Sequence, residues 1–414
     1  MRESAIRLLS LFSGCGGLDL GFEGGFEVRR ESVNPAVHPD WDLTPGAADG
    51  WVRLGRTRFE TAFANDIRPH AKKAWVAHFG KRGAAESVYR TGSIVDLVRS
   101  HESDGGVFPK DIDIVTGGFP CQDFSVAGKR RGFDSHRNHD GTMTAADAPS
   151  VESRGRLYMW MREVIAIAQP KVFVAENVKG LTNLADVKTV IENDFRSIST
   201  DGYLVVEARV LRAADYGVPQ SRERVIFVGF RKNTLRKEAL EALSMNPIPA
   251  DYDPYPPPTH SRLAPGDGLL PHVALSVALR GLDEPDVSAD PSQRKYSRAR
   301  FFGKRLQGQS EVNMDGIGPA IRAEHHGNIE FRRLSAANGG ANAAELAAGL
   351  GERRLTVREC ARIQTFPDDY EFVGKGLPAS EAYKLIGNAV PPLLGYHLAK
   401  RIEGRWGAYF KPGA

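Results

Sequence analysis

Along the first 230 residues, apolar positions fall in short runs separated by amphipathic stretches. Arg7–Phe12, Thr61–Asn65, Ile112–Thr116, Lys171–Ala175 and Arg224–Phe230 lack the two-residue alternation of a half-solvated strand, as strands covered on both faces do. Between them, Ile67–Phe79 and Leu157–Ala168 place apolar residues at helical spacing. This rhythm predicts an α/β fold built on a doubly wound, mostly parallel sheet. Arg29–Arg58, rich in Pro, Asp and Gly, and Gly132–Ser153, poor in apolar residues, read as loops.

After Phe230 the rhythm stops. Asp251–Pro258 continues neither a helix nor a central strand, because four of its eight residues are proline. Residues 231–378 are expected to form a smaller, irregular second lobe. Ala382–Glu403 reads as helical again, so residues 1–230 completed by 379–414 would make the first domain. A chain of 414 residues is long enough for one large core and a second lobe.

Composition adds exclusions. The chain is 41% hydrophobic and 26% charged, the balance of a soluble globular protein. No run approaches the roughly 18 apolar residues of a membrane span. The apolar Ala5–Phe12 leads to no convincing cleavage site, so a cytoplasmic protein that does not engage membranes is expected. Cys15, Cys121 and Cys360 are too scattered for a disulfide framework or a zinc cluster, which leaves room for one reactive thiol and predicts no metal site. Net charge is only +4, but Arg294–Arg333 holds nine Lys/Arg against four Asp/Glu. Such a stretch is either a solvated charged face or a surface for a polyanion.

Ligands of an open α/β sheet sit beyond the carboxyl ends of its strands. The residues there are Phe12–Gly17, Asp66, Gly117–Gln122 and Glu176–Val178. Gly14-Cys15-Gly16-Gly17-Leu18-Asp19 departs from the dinucleotide fingerprint at Asp19, yet still lets backbone pass close to a ligand. Asp66 could accept hydrogen bonds from both hydroxyls of a ribose. Together these suggest an adenosine-containing ligand; a purely structural turn is the other reading. Cys121 lies near Lys129, Arg130 and Arg131, cations that favour a thiolate, although a small buried hydrophobe would look the same in sequence. Glu176 either begins a loop or, buried near the thiol, could stay protonated and donate to a ring nitrogen.

Taken in order, Leu11–Gly17, Gly118–Ser125, Glu176-Asn177-Val178, Gln220-Ser221-Arg222-Glu223-Arg224, Arg354–Arg362 and Gly387-Asn388-Ala389-Val390 resemble the successive motifs of the DNA (cytosine-5) methyltransferases. The six blocks lie between residues 8 and 395, and the ordered set is far more specific than any one of them. The resemblance implies a Rossmann-like S-adenosylmethionine-dependent domain with a target-recognition lobe. Cys121 is similar to the nucleophile that adds to cytosine carbon 6. Glu176 resembles the carboxyl group at N3 and the exocyclic amine, and Arg224 the arginine at the base oxygen; Arg222, in the same block, is grouped with this catalytic set. Phe12, Gly14, Gly17, Asp66, Pro120, Leu157 and Asn388 fall where the family contacts S-adenosylmethionine. Ser93 and Ile94 occupy the block where the family usually has an aspartate for the adenine amine, and serine is a weaker substitute. Gly132–Ser153 resembles an insertion in the family's catalytic loop.

A base stacked in a duplex cannot present carbon 6 to a thiol, so the target must be flipped out. Expected contacts to duplex DNA are Ser125, Lys129, Arg130 and Arg131 on the catalytic loop, and Arg322, His325, His326, Arg332 and Arg333 in the second lobe. For the two histidines, an ordinary polar loop is the competing reading. A monomer is expected, with a cognate restriction endonuclease acting separately as a compatible partner. The rival functions are a cytosine-5 methyltransferase of transfer RNA, a catalytically silent DNA-binding protein of the same fold and, more distantly, an NAD-dependent oxidoreductase.

Overall fold

In a computed structural model, which describes residues 4–120, 157–183, 187–199, 202–263, 268–303, 306–323, 329–374 and 376–413, the chain opens with strand β1 (Ile6–Leu11) and helix α1 (Gly17–Glu23). It then leaves the main sheet for a small antiparallel one, β2 (Glu27–Arg29), β3 (Leu43–Pro45) and β4 (Trp51–Leu54), with β4 in the middle. The predicted alternation follows as β5 (Phe59–Asp66), α2 (Pro69–Phe79), β6 (Tyr89–Thr91), α3 (Ile94–Asp104), β7 (Ile114–Gly118), α4 (Leu157–Ala168), β8 (Val172–Val178) and α5 (Val187–Arg196). Strands β9 (Tyr203–Val205), β10 (Arg209–Arg212) and β11 (Glu223–Arg231) complete the sheet.

The strand order is β10-β11-β8-β7-β1-β5-β6, with β9 also paired to β11. Strands β6, β5, β1, β7 and β8 are parallel, and β11 runs antiparallel to β8, β9 and β10. The missing alternation in the sequence has a direct cause. Leu8, Ile114, Val172, Val174, Ile226 and Val228 face one apolar core, whereas Leu9, Leu11, Val115, Phe173, Val225 and Phe227 face another. Both sides of each central strand are covered, so both sets of positions must be apolar.

Two expectations need correction. Arg29–Arg58 is not simply a loop, because it contributes β3 and β4. Strands of three and four residues are easily hidden among Pro, Asp and Gly, but Trp51, Val52 and Leu54 are buried and Trp41 joins the same core as Val52 and Leu54. The C-terminal helical stretch is two helices, Ala379–Asn388 and Pro392–Gly404, separated at Ala389-Val390-Pro391. Pro391 lacks the amide that a continuous helix would need, and it forces Val390 toward an extended conformation. The second loop expectation, Gly132–Ser153, lies outside the described residues.

Beyond β11 come α6 (Lys237–Leu243), α7 (Leu275–Ala278), α8 (Ala343–Ala347), α9 (Val357–Ile363), α10 (Ala379–Asn388), α11 (Pro392–Gly404) and α12 (Trp406–Tyr409). Helix α11 lies along α1, where Gly21 has no room for a side chain: a Cβ there would stand 2.5 Å from the Pro392 carbonyl oxygen. Residues just after β11 pack back onto the main sheet and the C-terminal segment, since Leu235 bridges to Phe410 and the Tyr255 hydroxyl donates to Ile226 O of β11. Elsewhere the irregular chain between residues 270 and 370 is held by buried guanidinium groups. Arg353 binds both Glu284 and Glu359, Arg358 binds Asp290 and Arg362 binds Asp368. Irregular backbone leaves carbonyls without ladder partners, and the five donors of an arginine suit that need. Helix α9 adds a capping box, in which Thr356 and Glu359 satisfy each other's backbone amides. Among the described residues, no helix is long and apolar enough to cross a membrane.

Candidate active site

The carboxyl ends of β1, β5, β6, β7 and β8 lie side by side, so the residues that follow them share one edge. The turn after β1 is strained and tightly tethered. Phe12 has φ 53°, a left-handed conformation uncommon outside glycine, and Gly14 and Gly16 follow at 57° and 81°. Asp19, buried in α1, accepts from Ser10 Oγ at 2.5 Å, from the Ser13 hydroxyl, and from Trp75 Nε1 of α2 at 2.8 Å. Burial pushes this carboxyl up to about 6 against those three donors. The aspartate that breaks the dinucleotide fingerprint is thus the residue that pins the turn.

Two side chains that sequence reading passed over shape the same pocket. Asn65 takes the Ser13 amide on its backbone oxygen, and its side chain donates at 3.0 Å to both Arg90 O and Gly92 O. The Tyr89 hydroxyl donates to Gly14 O at 2.9 Å. With Asp19, they fix the two loops between which a ligand would lie. Their only signal in the sequence was position, one before Asp66 and one at the start of β6.

Asp66 is half-buried. Its oxygens accept from the amides of Gly14 at 3.1 Å and Arg68 at 2.9 Å. Burial raises this carboxyl, opposed by the hydrogen bond and charge of Arg68 and by the amides of Gly14 and Ile67. A Cβ on Gly14 would meet nothing within 4 Å, so open space faces that left-handed backbone. At Gly17, by contrast, a Cβ would stand 2.4 Å from Val390 O and 3.0 Å from Ala389 Cβ. That close approach seats the exposed Asn388, at the end of α10, beside the glycine turn. Phe12, Ile94 and Leu157 meet in one apolar cluster with Phe119, whose neighbour is Pro120. The Ser93 oxygen caps α3 by accepting from Val95 N at 3.3 Å. An open glycine cradle, an apolar wall and a carboxylate suit an adenosine-bearing sulfonium, with Phe12, Gly14, Asp66, Ile94, Pro120, Leu157 and Asn388 as the residues that would hold it.

The second half of the site is at β7 and β8. Gly118 pairs with Glu176, and a Cβ on Gly118 would come 2.9 Å from Glu176 Oε2, so glycine is what admits the carboxylate. Glu176 is 7% exposed, with Arg224 Nε of β11 at 2.6 Å from its other oxygen. Asn177 Nδ2 donates to Phe119 O at 3.1 Å and ties the start of the Pro120 segment to β8. Cys121, Ser125, Lys129, Arg130, Arg131, His325 and His326 lie outside the described residues. The other two cysteines are fully enclosed, and burial pushes both thiols up, Cys360 well above the usual range. Neither offers an accessible thiolate.

Some expected site residues stand elsewhere. Arg222 is buried and its Nη1 donates to Ile321 O at 3.1 Å and Gly387 O at 3.0 Å, which makes it a clasp between segments. Arg333 is 2% exposed and binds Glu284, Glu345 and Gly351 O. Arg332 pairs with Glu345 and Glu359, its side chain 11% exposed. Guanidinium groups so enclosed and neutralised do not face a phosphate, so the expectation of DNA contacts at Arg332 and Arg333 is corrected. Alternating charge in the sequence could not distinguish them from a solvent-facing patch. Arg322 is partly exposed beside Glu330 at 2.9 Å.

If the pocket takes S-adenosylmethionine through Asp66, replacing Asp66 by alanine should weaken donor binding about tenfold to a hundredfold, the range for a hydrogen bond to a charged group. Calorimetric titration of the donor checks this, and an unchanged dissociation constant would remove Asp66 from the pocket.

The family model of the C-5 cytosine-specific DNA methylases matches residues 6–404. The chain is 30% identical over 405 residues to Type II methyltransferase M.NgoFVII of Neisseria gonorrhoeae, covering 96% of this chain and 86% of that one. It is 32% identical over 420 residues to Type II methyltransferase M.BsuRI of Bacillus subtilis, covering 97% and 80%. Among solved structures it resembles the Entamoeba histolytica methyltransferase EhMeth, with TM-score 0.56, 16% identity and coverage of 98% and 99%. The S. pombe Dnmt2 methyltransferase gives 0.55 at 14% identity, covering 97% and 99%. At such identities the two structures speak for the fold, whereas the sequence matches run through every motif of the site. The chain belongs to the C-5 cytosine-specific DNA methylases.

Proposed function

We propose that the protein methylates carbon 5 of a cytosine flipped out of a specific duplex DNA sequence, as the modification enzyme of a Type II restriction-modification system. Family membership makes it a methyltransferase that uses S-adenosylmethionine, which supplies an electrophilic methyl group on sulfur. The observation that carries the reading is Glu176, admitted by Gly118 and held by Arg224, beside the strand that leads into Pro120-Cys121.

Carbon 5 of cytosine is a poor nucleophile. Addition of the Cys121 thiolate to carbon 6 forms a C–S bond and places the displaced electron pair on the ring, where a hydrogen bond from Glu176 at N3 stabilises it. Carbon 5 of the resulting enamine then takes the methyl group. Loss of the carbon 5 proton regenerates the double bond and expels the thiolate. Arg224, fixed by β11 pairing with β8, holds the carboxyl group and is proposed to contact the base oxygen. Lys129, Arg130, Arg131 and Ser125 on the catalytic loop, with Arg322, His325 and His326, are proposed to contact DNA. Such contacts would offset the roughly few kcal/mol needed to unstack the base.

Transfer of a labelled methyl group to unmethylated duplex DNA and to transfer RNA, assayed side by side, tests the substrate. Labelling of DNA is the expected result; exclusive labelling of transfer RNA would replace this reading. Bisulfite sequencing of DNA from cells making the protein would then reveal the recognised sequence.

A further inference from the structure

Among the described cations of the second lobe, two groups stand apart. Arg332, Arg333, Arg353, Arg358 and Arg362 are each paired with a carboxylate. Arg294, Lys295, Arg298 and Arg300 are exposed instead, and none forms an ion pair with a described residue. Arg298 lies over the ring of Tyr296 at 4.1 Å. Directly after this run come two phenylalanines with opposite fates. Phe301 packs edge-on against Phe331, 5.8 Å between ring centres, while Phe302 is 68% exposed.

Phe302 is not exposed by fraying. Arg354 donates to Ala299 O at 2.8 Å, Arg300 O at 3.1 Å, Gly308 O at 2.6 Å and also Ile329 O, clamping both feet of the loop. The Phe302 amide donates to the buried Gln309 side chain at 2.8 Å. The loop is also placed relative to the catalytic edge. Ile329 precedes Glu330, which pairs with Arg322, and the Arg322 backbone lies so close to Gly387 that a Cβ there would stand 2.2 Å from it. Gly387 in turn precedes Asn388 beside the glycine turn.

We propose that Phe302 wedges against a base step of the bound duplex, with Arg298 and Arg300 on the flanking phosphates. This rests on the DNA-methylating reading above and adds the surface by which the second lobe grips its substrate. An aromatic ring held out into water, following in sequence a run of exposed cations that no described carboxylate pairs with, suits a partner that offers both negative charge and stacked apolar faces, and duplex DNA offers both. Apolar side chains inserted at base steps hold a distorted duplex, which base extrusion requires.

The test uses the full chain with sheared, unmethylated genomic DNA and labelled S-adenosylmethionine. Phe302→Ala should lower kcat/KM for DNA at least about tenfold, with KM for the donor and Tm unchanged, whereas Phe302→Tyr, which keeps the ring, should stay within about threefold of the parent chain. The double substitution Arg298→Gln and Arg300→Gln should reduce the salt slope of duplex binding by roughly two. A Phe302→Ala rate within twofold of the parent, a tyrosine variant as impaired as alanine, or an unaltered salt slope overturns the proposal. Failure of the unsubstituted chain to methylate any DNA would instead strike the underlying functional reading, so the two failures are separable.

Discussion

Replacing Cys121 by alanine is expected to abolish methyl transfer, by a factor on the order of 10⁴ to 10⁶, while duplex DNA and the methyl donor still bind. Without the sulfur, carbon 5 never gains enamine character, and no neighbouring group can substitute for a covalent bond at carbon 6. The structure sharpens this expectation through the other two cysteines. Cys15 sits under Tyr370, whose hydroxyl donates to its carbonyl, and Cys360 is sealed inside α9. DNA carrying 5-fluorocytosine at the target should therefore trap a denaturant-stable adduct, since fluorine cannot leave as a proton does. Mass spectrometry should place that adduct on Cys121. Finding it on Cys15 or Cys360, or measuring undiminished transfer by the alanine variant, would overturn the assignment of the nucleophile.

The second large effect is expected at Glu176. Glu176→Gln preserves shape but removes the carboxyl group that Arg224 holds and that is proposed to hydrogen-bond N3, and should lower kcat about a hundredfold to a thousandfold. The loss belongs to the transition state, where negative charge develops on the ring, so KM for the donor should change little. Single-turnover rates with saturating DNA separate the two quantities. A kcat within threefold of the parent would show that N3 is stabilised by some other group, and a large rise in donor KM alone would relocate Glu176 to the cofactor pocket.

Much of the sheet was legible because a strand covered on both faces carries apolar residues in succession, as Leu8-Leu9 of β1, Ile114-Val115 of β7, Val172–Ala175 of β8 and Val225–Val228 of β11 do. The small sheet of β2, β3 and β4 was not, since its strands are too short for a pattern to rise above the surrounding Pro and Gly. The strand ends and the motif blocks together located the edge shared by Asp66, Glu176 and the glycine turn. They said nothing of Asp19, Asn65 or Tyr89, which act on backbone carbonyls and hydroxyls brought close only by folding. The charged run at residues 294–333 was the most misleading signal. Burial of Arg332 and Arg333 among glutamates depends on Glu284 and Glu345, remote in sequence, so composition alone assigned the wrong arginines to the surface.

The double grip of Arg222 on Ile321 O and Gly387 O has a consequence for engineering. Gln220 strengthens it by binding Gln364 at 2.6 Å, and Gln364 reaches Ile386 O at 2.6 Å and Ala389 O at 3.1 Å. Residues 318–323 are therefore welded to the core even though, by chain order, they fall inside the stretch 231–378 expected to form the second lobe. A chimaera meant to import a relative's sequence preference needs its seams outside this weld, with the recipient's 318–323 retained. A graft cut simply at 231 and 378 would bring a foreign strap against the native clasp and disable the methyl-donor side along with the specificity it was meant to change.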